Sequence, residues 1–179
     1  MQELQQIPVS EEFLKKLLAG KRIGRSLTDM PKHFRDKNAV AELLGPNPLL
    51  YEVYSIEEGG VLADMTIMRP GTIGQEFIMT KGHFHEDDSG ELYYGLKGHG
   101  VLVLQNRHGM TAHLEIKPGV WTRVPDGFAH RSVNVGDEPL AFVAVYGKNA
   151  GHDYGVQFKK CVFADETGWK MADAKENNK

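Results

Sequence analysis

The spacing of apolar residues changes near residue 49, and the two parts of the chain predict different elements. After Ser10, a candidate N-cap, apolar residues recur at i, i+1, i+4 and i+5 until Gly20, which is helical spacing. A second short helix is predicted over 37–44, with Asp36 as its cap. We therefore expect the first 45 residues to be helical.

From residue 49 onward, short apolar or alternating runs are separated by turn residues such as Glu-Gly-Gly, Arg-Pro-Gly and Lys-Pro-Gly. The predicted strands are LLYEVYSIE, VLADMTIMR, EFIMTKGHFH, ELYYGLK, HGVLVLQ, AHLEIK, VWTRVP, HRSVNVG, PLAFVAVY and VQFKKCVFA. Strands at a spacing of roughly 8–12 residues, with no helical crossover between them, favour an all-β sandwich or barrel over a parallel α/β sheet.

The chain is long enough for one domain with a single core. We expect an all-β jelly-roll barrel over 47–165. A short helical extension over 1–46 is expected to pack on that barrel, and a tail over 166–179 to follow it.

Composition narrows the classes of function. The formal net charge of -3 disfavours a nucleic-acid partner, which usually requires a basic excess. No apolar run reaches the length of about 18 residues that a membrane helix needs, and the N-terminus lacks the pattern of a signal peptide, so we expect a cytoplasmic protein. With 8 histidines and 1 cysteine, any metal site must use nitrogen and oxygen ligands.

Four residues have the spacing of such a site. His83 and His85 are separated by one residue in a predicted strand, so both imidazoles point to one face. Glu91 opens the next predicted strand, and His130 follows a turn at the start of another. Three imidazoles and one carboxylate can hold one divalent metal per subunit and leave positions open for substrate oxygens. Fe, Mn, Ni, Co and Zn all suit these nitrogen and oxygen donors.

These residues belong to two longer motifs that resemble those of the cupin superfamily. The motifs are His83-X-His85-X5-Glu91-X6-Gly98 and Gly119-X5-Pro125-X-Gly127-X2-His130-X3-Asn134. The second matches at every defining position. The first departs twice, because Phe77 stands where a glycine is expected and the gap between His85 and Glu91 is one residue longer than is commonest.

Longer segments resemble the cupin-type phosphoglucose isomerases of archaea and some bacteria. They are RSLTDMPKHF at 25–34, YEVYSIEE at 51–58, MRPGTIGQEFIMTKGHFH at 68–85, ELYYGLKGHGVLVLQ at 91–105, PGVWTRVPDGFAHRSVNVGDEPL at 118–140 and AVYGKNAGHDYG at 144–155. The resemblance implies interconversion of glucose 6-phosphate and fructose 6-phosphate at a divalent metal, in a homodimer.

The resemblance also implies a role for particular residues. The metal ligands carried over by position are His83, His85, Glu91 and His130. The residues carried over to the catalytic step are Glu91, His152 and Tyr146. Those carried over to the sugar phosphate are Tyr51, Thr66, Thr80, Lys81, Gly82, Tyr93 and Tyr154.

The residue types agree with this chemistry. Isomerisation moves a hydrogen between adjacent carbons, and Glu91 is the only carboxylate predicted beside the metal, so it is our predicted proton carrier. Thr80, Lys81 and Gly82 together offer a hydroxyl, a cation and an approachable backbone, which suits a phosphate. The residues leave open whether the hydrogen moves as a proton or as a hydride.

Two other functions remain open for the same ligand set. One is a non-haem iron dioxygenase, and the other is a sugar-binding cupin without catalysis. The phosphate-compatible segment at 80–82 and the AGHDYG segment favour the isomerase over the dioxygenase, and the sequence lacks the basic helix-turn-helix pattern that a sugar sensor usually carries.

Overall fold

The computed structural model describes residues 9–174 of the chain. None of the helices in this range is long and apolar enough to span a membrane. The portions 1–8 and 175–179 of the predicted extension and tail lie outside the described residues.

The all-β prediction is confirmed, because thirteen strands within residues 9–174 form three sheets. The strands are β1 Lys21–Ser26, β2 Leu49–Glu58, β3 Val61–Met68, β4 Thr72–Ile73, β5 Glu76–Phe77, β6 Glu91–Lys97, β7 Gly100–Asn106, β8 Thr111–Ile116, β9 Trp121–Val124, β10 Phe128–Asn134, β11 Leu140–Gly147, β12 Lys160–Asp165 and β13 Gly168–Asp173. The sheets have the orders β1-β2-β3-β11-β6-β9, β10-β7-β8 and β13-β12-β5-β4. Neighbouring strands in all three sheets run antiparallel, as expected for a jelly roll.

One apolar core joins the sheets. It contains fully buried side chains from β3, β7 and β11, among them Met68, Leu102 and Phe142. Leu27 and Phe34, which precede the barrel, belong to the same core and are also fully buried. The N-terminal segment therefore closes one side of the core.

Both predicted helices are present. Helix α1, Glu11–Leu18, begins at Ser10, whose hydroxyl accepts a hydrogen bond of 3.2 Å from the backbone N–H of Phe13. Helix α2, Lys37–Leu44, begins at Asp36, whose carboxylate accepts from the first free N–H groups of the helix. The caps therefore have the positions that the sequence predicts.

The prediction of continuous helix over the first 45 residues is wrong for β1, which pairs with β2 along its length. Its sequence KRIGRS has too few apolar residues to show a strand period, so pairing with an existing sheet edge decides its conformation. The predicted tail over 166–179 also contains a strand, since β13 pairs with β12 in a hairpin. Two short 3-10 helices, Leu27–Asp29 and Pro31–His33, lie between β1 and α2.

The predicted strand over 76–85 is regular only at its first two residues. Beyond β5 it continues as single antiparallel bridges, Met79 with Val133 and His83 with His130. This segment therefore crosses from one sheet to another and carries the candidate ligands with it.

Candidate metal centre

Two single bridges position the candidate ligands. His83 and His130 exchange backbone hydrogen bonds of 3.2 and 3.0 Å, which places their side chains together. Phe84 and Asp153 likewise exchange backbone hydrogen bonds of 3.0 and 2.9 Å. The residues on either side of Phe84, His83 and His85, therefore share a face with those on either side of Asp153, His152 and Tyr154. Glu91 enters from β6 as its first residue.

The four predicted ligands form one group. One nitrogen or oxygen atom from each of His83, His85, Glu91 and His130 lies within 4.8 Å of the corresponding atoms of the others. Three of these side chains are at least nine-tenths buried, and His83 is partly buried. The group is large enough and close enough for one cation at its centre.

The atoms that face this centre have no other partner. Within the described residues, the Nε2 atoms of the three histidines and Oε2 of Glu91 are buried and form no hydrogen bond. His130 Nε2 lies 2.7 Å from Glu91 Oε2, but not in hydrogen-bond geometry. Buried polar atoms are rarely left without a partner, so four that converge on one point fit the ligand set of a cation.

Backbone carbonyls orient two of the imidazole rings. His85 Nδ1 lies 2.9 Å from the carbonyl oxygen of Ser89, and His130 Nδ1 lies 3.4 Å from that of Phe128. A carbonyl only accepts, so each Nδ1 carries the hydrogen and each Nε2 keeps its lone pair toward the centre. These contacts select the tautomer that a metal needs.

The pKa values of the group agree with this arrangement. Burial, together with the neighbouring His130, lowers the pKa of His83 to about 2, so this imidazole is neutral. Burial alone would raise the pKa of Glu91, but His130 and His85 lower it to about 2. Burial alone would lower the pKa of His85, and the nearby Glu91 carboxylate raises it instead. A cation bound at this centre would compete with the proton that His85 takes up.

The ligand group opens into a cavity of about 150 Å³. Every residue predicted for the site lines this cavity except His85, which is buried in the ligand group beside it. The cavity also contains residues that the sequence analysis did not single out. They are Val53, Asp64, Ser132, Phe142 and Ala144.

Asp64 is the most informative of these residues. The hydroxyl of Tyr146 donates a hydrogen bond of 2.7 Å to its Oδ2, while its buried Oδ1 has no partner within the described residues. Burial raises the pKa of both Asp64 and Tyr146. The cavity thus contains a second carboxylate besides Glu91, and the sequence analysis did not single it out. Asp64 lies two residues before Thr66 in β3, so both side chains are on the same face of the strand. This relation identifies Asp64 as a cavity residue only once Thr66 is known to face the cavity.

The segment Thr80–Gly82 forms one wall of the cavity. Thr80 Oγ1 accepts a hydrogen bond of 3.0 Å from the N–H of Ser132, and the N–H of Lys81 lies 3.5 Å from the hydroxyl of Tyr51. Gly82 has a φ of 74°, and a Cβ there would lie 2.5 Å from the ring of Phe158. Close packing as well as a left-handed conformation therefore requires this glycine.

His152 and Tyr154 line the cavity beside the ligand group. Their rings are nearly parallel, at 11°, with centroids 5.9 Å apart, and the His152 ring lies 4.3 Å from that of His83. Tyr154 is 55% exposed, so it forms part of the mouth of the cavity. Residues i and i+2 of an extended segment share a face, and the Phe84–Asp153 bridge holds this segment beside His83 and His85.

Comparison with known proteins gives consistent names. A model of the glucose-6-phosphate isomerase (GPI) family matches residues 33–178. Glucose-6-phosphate isomerase of Thermococcus kodakarensis is 42% identical over 162 residues, which cover 86% of each chain. That of Thermococcus gammatolerans is 46% identical over 140 residues, which cover 75% of this chain and 74% of the relative.

Among solved structures, oxalate decarboxylase from Bacillus subtilis superposes with a TM-score of 0.48 at 21% identity. The match covers 57% of this chain and spans only 26% of that longer chain. The family match, in contrast, extends over most of this chain and is accompanied by full-length relatives. This chain therefore belongs to the glucose-6-phosphate isomerase family.

Proposed function

We propose that this protein interconverts glucose 6-phosphate and fructose 6-phosphate at a divalent metal held by His83, His85, Glu91 and His130. One observation carries the proposal: four buried ligand atoms without other partners open into the same cavity as the side chains assigned to the sugar phosphate. Membership of the glucose-6-phosphate isomerase family names the substrates.

The reaction exchanges a carbonyl and a hydroxyl on adjacent carbons of the sugar. When bound, the metal would polarise these oxygens and lower the pKa of the hydroxyl. Glu91 is proposed to hold the metal and to carry the hydrogen as a proton between the two carbons. Tyr146, held by Asp64, keeps its phenol oxygen as an acceptor for a sugar hydroxyl, and His152 adds a ring beside His83.

The phosphate is proposed to lie against Thr80–Gly82. The ammonium group of Lys81 forms no ion pair within the described part of the chain, and so it remains able to neutralise a phosphate. Tyr51, beside the N–H of Lys81, and Tyr154, at the mouth, offer hydroxyl groups to the same anion. Thr66 and Tyr93 line the cavity between this end and the metal.

Fe(II) is the metal that we propose, with Mn, Ni, Co or Zn as alternatives. The support is the donor set itself, because imidazole and carboxylate without thiolate suit all of these ions. The reaction needs a Lewis acid and no change in oxidation state, so several of them are expected to support turnover.

A homodimer that uses the outer face of the six-stranded sheet is also proposed. Helix α1 covers part of this face, but an apolar depression beside it contains Val61, Tyr94 and Trp121. Val61 is 43% and Trp121 is 53% exposed, and large apolar patches on a protein surface usually mark an interface. We further propose that the whole chain is one domain and acts in the cytoplasm.

The proposal is tested by turnover of fructose 6-phosphate to glucose 6-phosphate. The purified protein is treated with a chelator and then supplied with Fe(II), Mn(II), Ni(II) or Zn(II) in separate samples. We expect chelation to abolish turnover and at least one ion to restore it. Failure of every ion would refute the isomerase, and oxygen consumption on addition of Fe(II) and a candidate substrate would instead favour the dioxygenase.

A further inference from the structure

A second cavity lies on the far side of the Thr80–Gly82 segment from the metal centre. Its volume is about 650 Å³, which is large enough for a small metabolite. Basic side chains dominate its walls: Lys32, His33 and Arg35 from the N-terminal segment and Arg131 from β10. Of these residues, none is assigned to the sugar phosphate or the metal.

Arg131 is the feature that calls for a ligand. Its side chain is 5% exposed, yet it forms no ion pair with any carboxylate of residues 9–174. Its guanidinium packs over the ring of Phe158 at 4.3 Å and donates one hydrogen bond of 3.1 Å to the carbonyl of Lys81, while Nε has no acceptor. Buried charges are normally paired, so an unpaired buried guanidinium points to an anion.

Arg35 lines the same cavity, and its guanidinium group likewise forms no ion pair within the described residues. It is half-buried, its Nη2 donates to the thiol sulfur of Cys161 at 2.9 Å, and its Nε is buried without an acceptor within the described residues. The positive charges of Arg35 and Arg131 also repel each other. Two like charges thus share one cavity.

The two nearby carboxylates form no ion pair with either guanidinium group within the described residues. Buried Glu76 accepts its hydrogen bond of 2.8 Å from the backbone N–H of Arg35 rather than from the guanidinium. Asp173, which lines the cavity, lies 2.9 Å from the ammonium of Lys160. Burial, reinforced by the charge of Arg131, lowers the pKa of His33 to about 4, so this ring is neutral near pH 7 and offers a hydrogen bond rather than charge.

We propose that this cavity binds a small phosphorylated metabolite, with its phosphate between the guanidinium groups of Arg35 and Arg131. Arginine recognises phosphate through several parallel N–H donors, and both residues line the cavity without an ion pair to any carboxylate of residues 9–174. The site is separate from the substrate cavity. It lies directly behind it, because the carbonyl of Lys81 joins Arg131 to the phosphate wall of that cavity.

The test is calorimetric titration of the full-length protein with inorganic phosphate, with and without saturating fructose 6-phosphate. Phosphate binding is expected to persist in the presence of the sugar. The variant Arg35→Gln is expected to weaken this binding by about tenfold or more, since one charged donor pair is lost. The variant Arg123→Gln serves as the control, because Arg123 is exposed and paired with Asp126 on another surface.

Complete displacement of phosphate by the sugar, or equal affinity in wild type and Arg35→Gln, would overturn the proposal. The comparison of Arg35→Gln with wild type is also made without the sugar, so its outcome does not depend on the isomerase activity. Crystals of the wild type soaked in tungstate give a second measurement without a variant. We expect an anomalous peak within hydrogen-bond distance of Arg35 and Arg131, and a cavity without one would equally refute the site.

Discussion

The hydroxyl of Tyr146 on β11 donates a hydrogen bond of 2.7 Å to the carboxylate of Asp64 on β3, a residue 82 positions earlier in the chain. In the antiparallel register Asp64 stands opposite Ala144, so the two side chains are diagonal neighbours on the inner face of the sheet. The contact holds the phenol beside the candidate ligands, since the centroid of the Tyr146 ring lies 5.4 Å from that of His85.

Asp64→Asn tests this contact. The amide accepts a weaker hydrogen bond than a carboxylate, so Tyr146 is less firmly held, and kcat/KM for fructose 6-phosphate is expected to fall by about tenfold. Tyr146→Phe is expected to cost at least as much, and the double variant no more than Tyr146→Phe alone. Asp165→Asn, in the exposed turn between β12 and β13, is the control. Additive losses in the double variant would contradict the coupling.

Glu91→Gln separates two roles of one side chain. The amide is a poorer ligand and cannot take up a proton, so we expect turnover to fall by about 10²-fold or more. Metal content is measured by elemental analysis on the same sample, with His108→Ala as the control because that histidine is exposed and distant from the ligand group. If turnover persists with the metal retained, Glu91 is not the proton carrier.

Lys81→Ala addresses the phosphate end of the cavity. The loss of one cation weakens ground-state and transition-state binding alike, so KM for fructose 6-phosphate is expected to rise by about tenfold with kcat little changed. Lys170→Ala removes an exposed lysine from β13 and is expected to leave both constants unchanged. An unchanged KM in Lys81→Ala would remove this residue from the phosphate site.

The proposed dimer can be tested with a charge on its apolar face. Val61→Lys places an ammonium group in the depression beside Trp121, where burial against a partner would be costly. We expect the mass measured by light scattering after size exclusion to change from that of a dimer to that of a monomer. Met110→Lys substitutes another exposed apolar residue, outside this depression, and should leave the mass unchanged. A wild type that is monomeric would end the dimer proposal.

The thiol of Cys161 should be unreactive in the folded protein. Burial, with the nearby charge of Glu76, raises its pKa to about 11. A raised pKa keeps a thiol protonated at all pH values well below it, and the thiolate is the reactive form. At about pH 8 we expect no labelling by a thiol reagent in the native protein and complete labelling after denaturation. Rapid labelling of the native protein would show that the thiol is accessible and ionised.

Local signals along the chain predicted much of the secondary structure. Caps at Ser10 and Asp36 mark both helices, because a cap is made by a side chain and N–H groups within three residues of each other. Most strands from β2 onward follow runs of alternating or apolar residues, since side chains in a strand alternate between faces with a period of two. The same short-range geometry brings His83 and His85 to one centre, although their segment forms bridges rather than a regular strand.

The tertiary structure decided what depends on residues far apart in the chain. Strand β1 exists because the edge of the β2 strand accepts it, and Asp64 enters the cavity because β3 lies beside β11. The unpaired guanidinium groups of Arg35 and Arg131 meet behind the substrate cavity for the same reason. The sequence by itself predicted the strand-rich class, the helix caps and the group of candidate ligands, because the strand period, the cap residues and the two histidine-containing motifs are each local patterns along the chain. Which distant polar groups share a buried environment, and therefore their pKa values and partners, depends on the packing of the sheets and could not be predicted from local pattern.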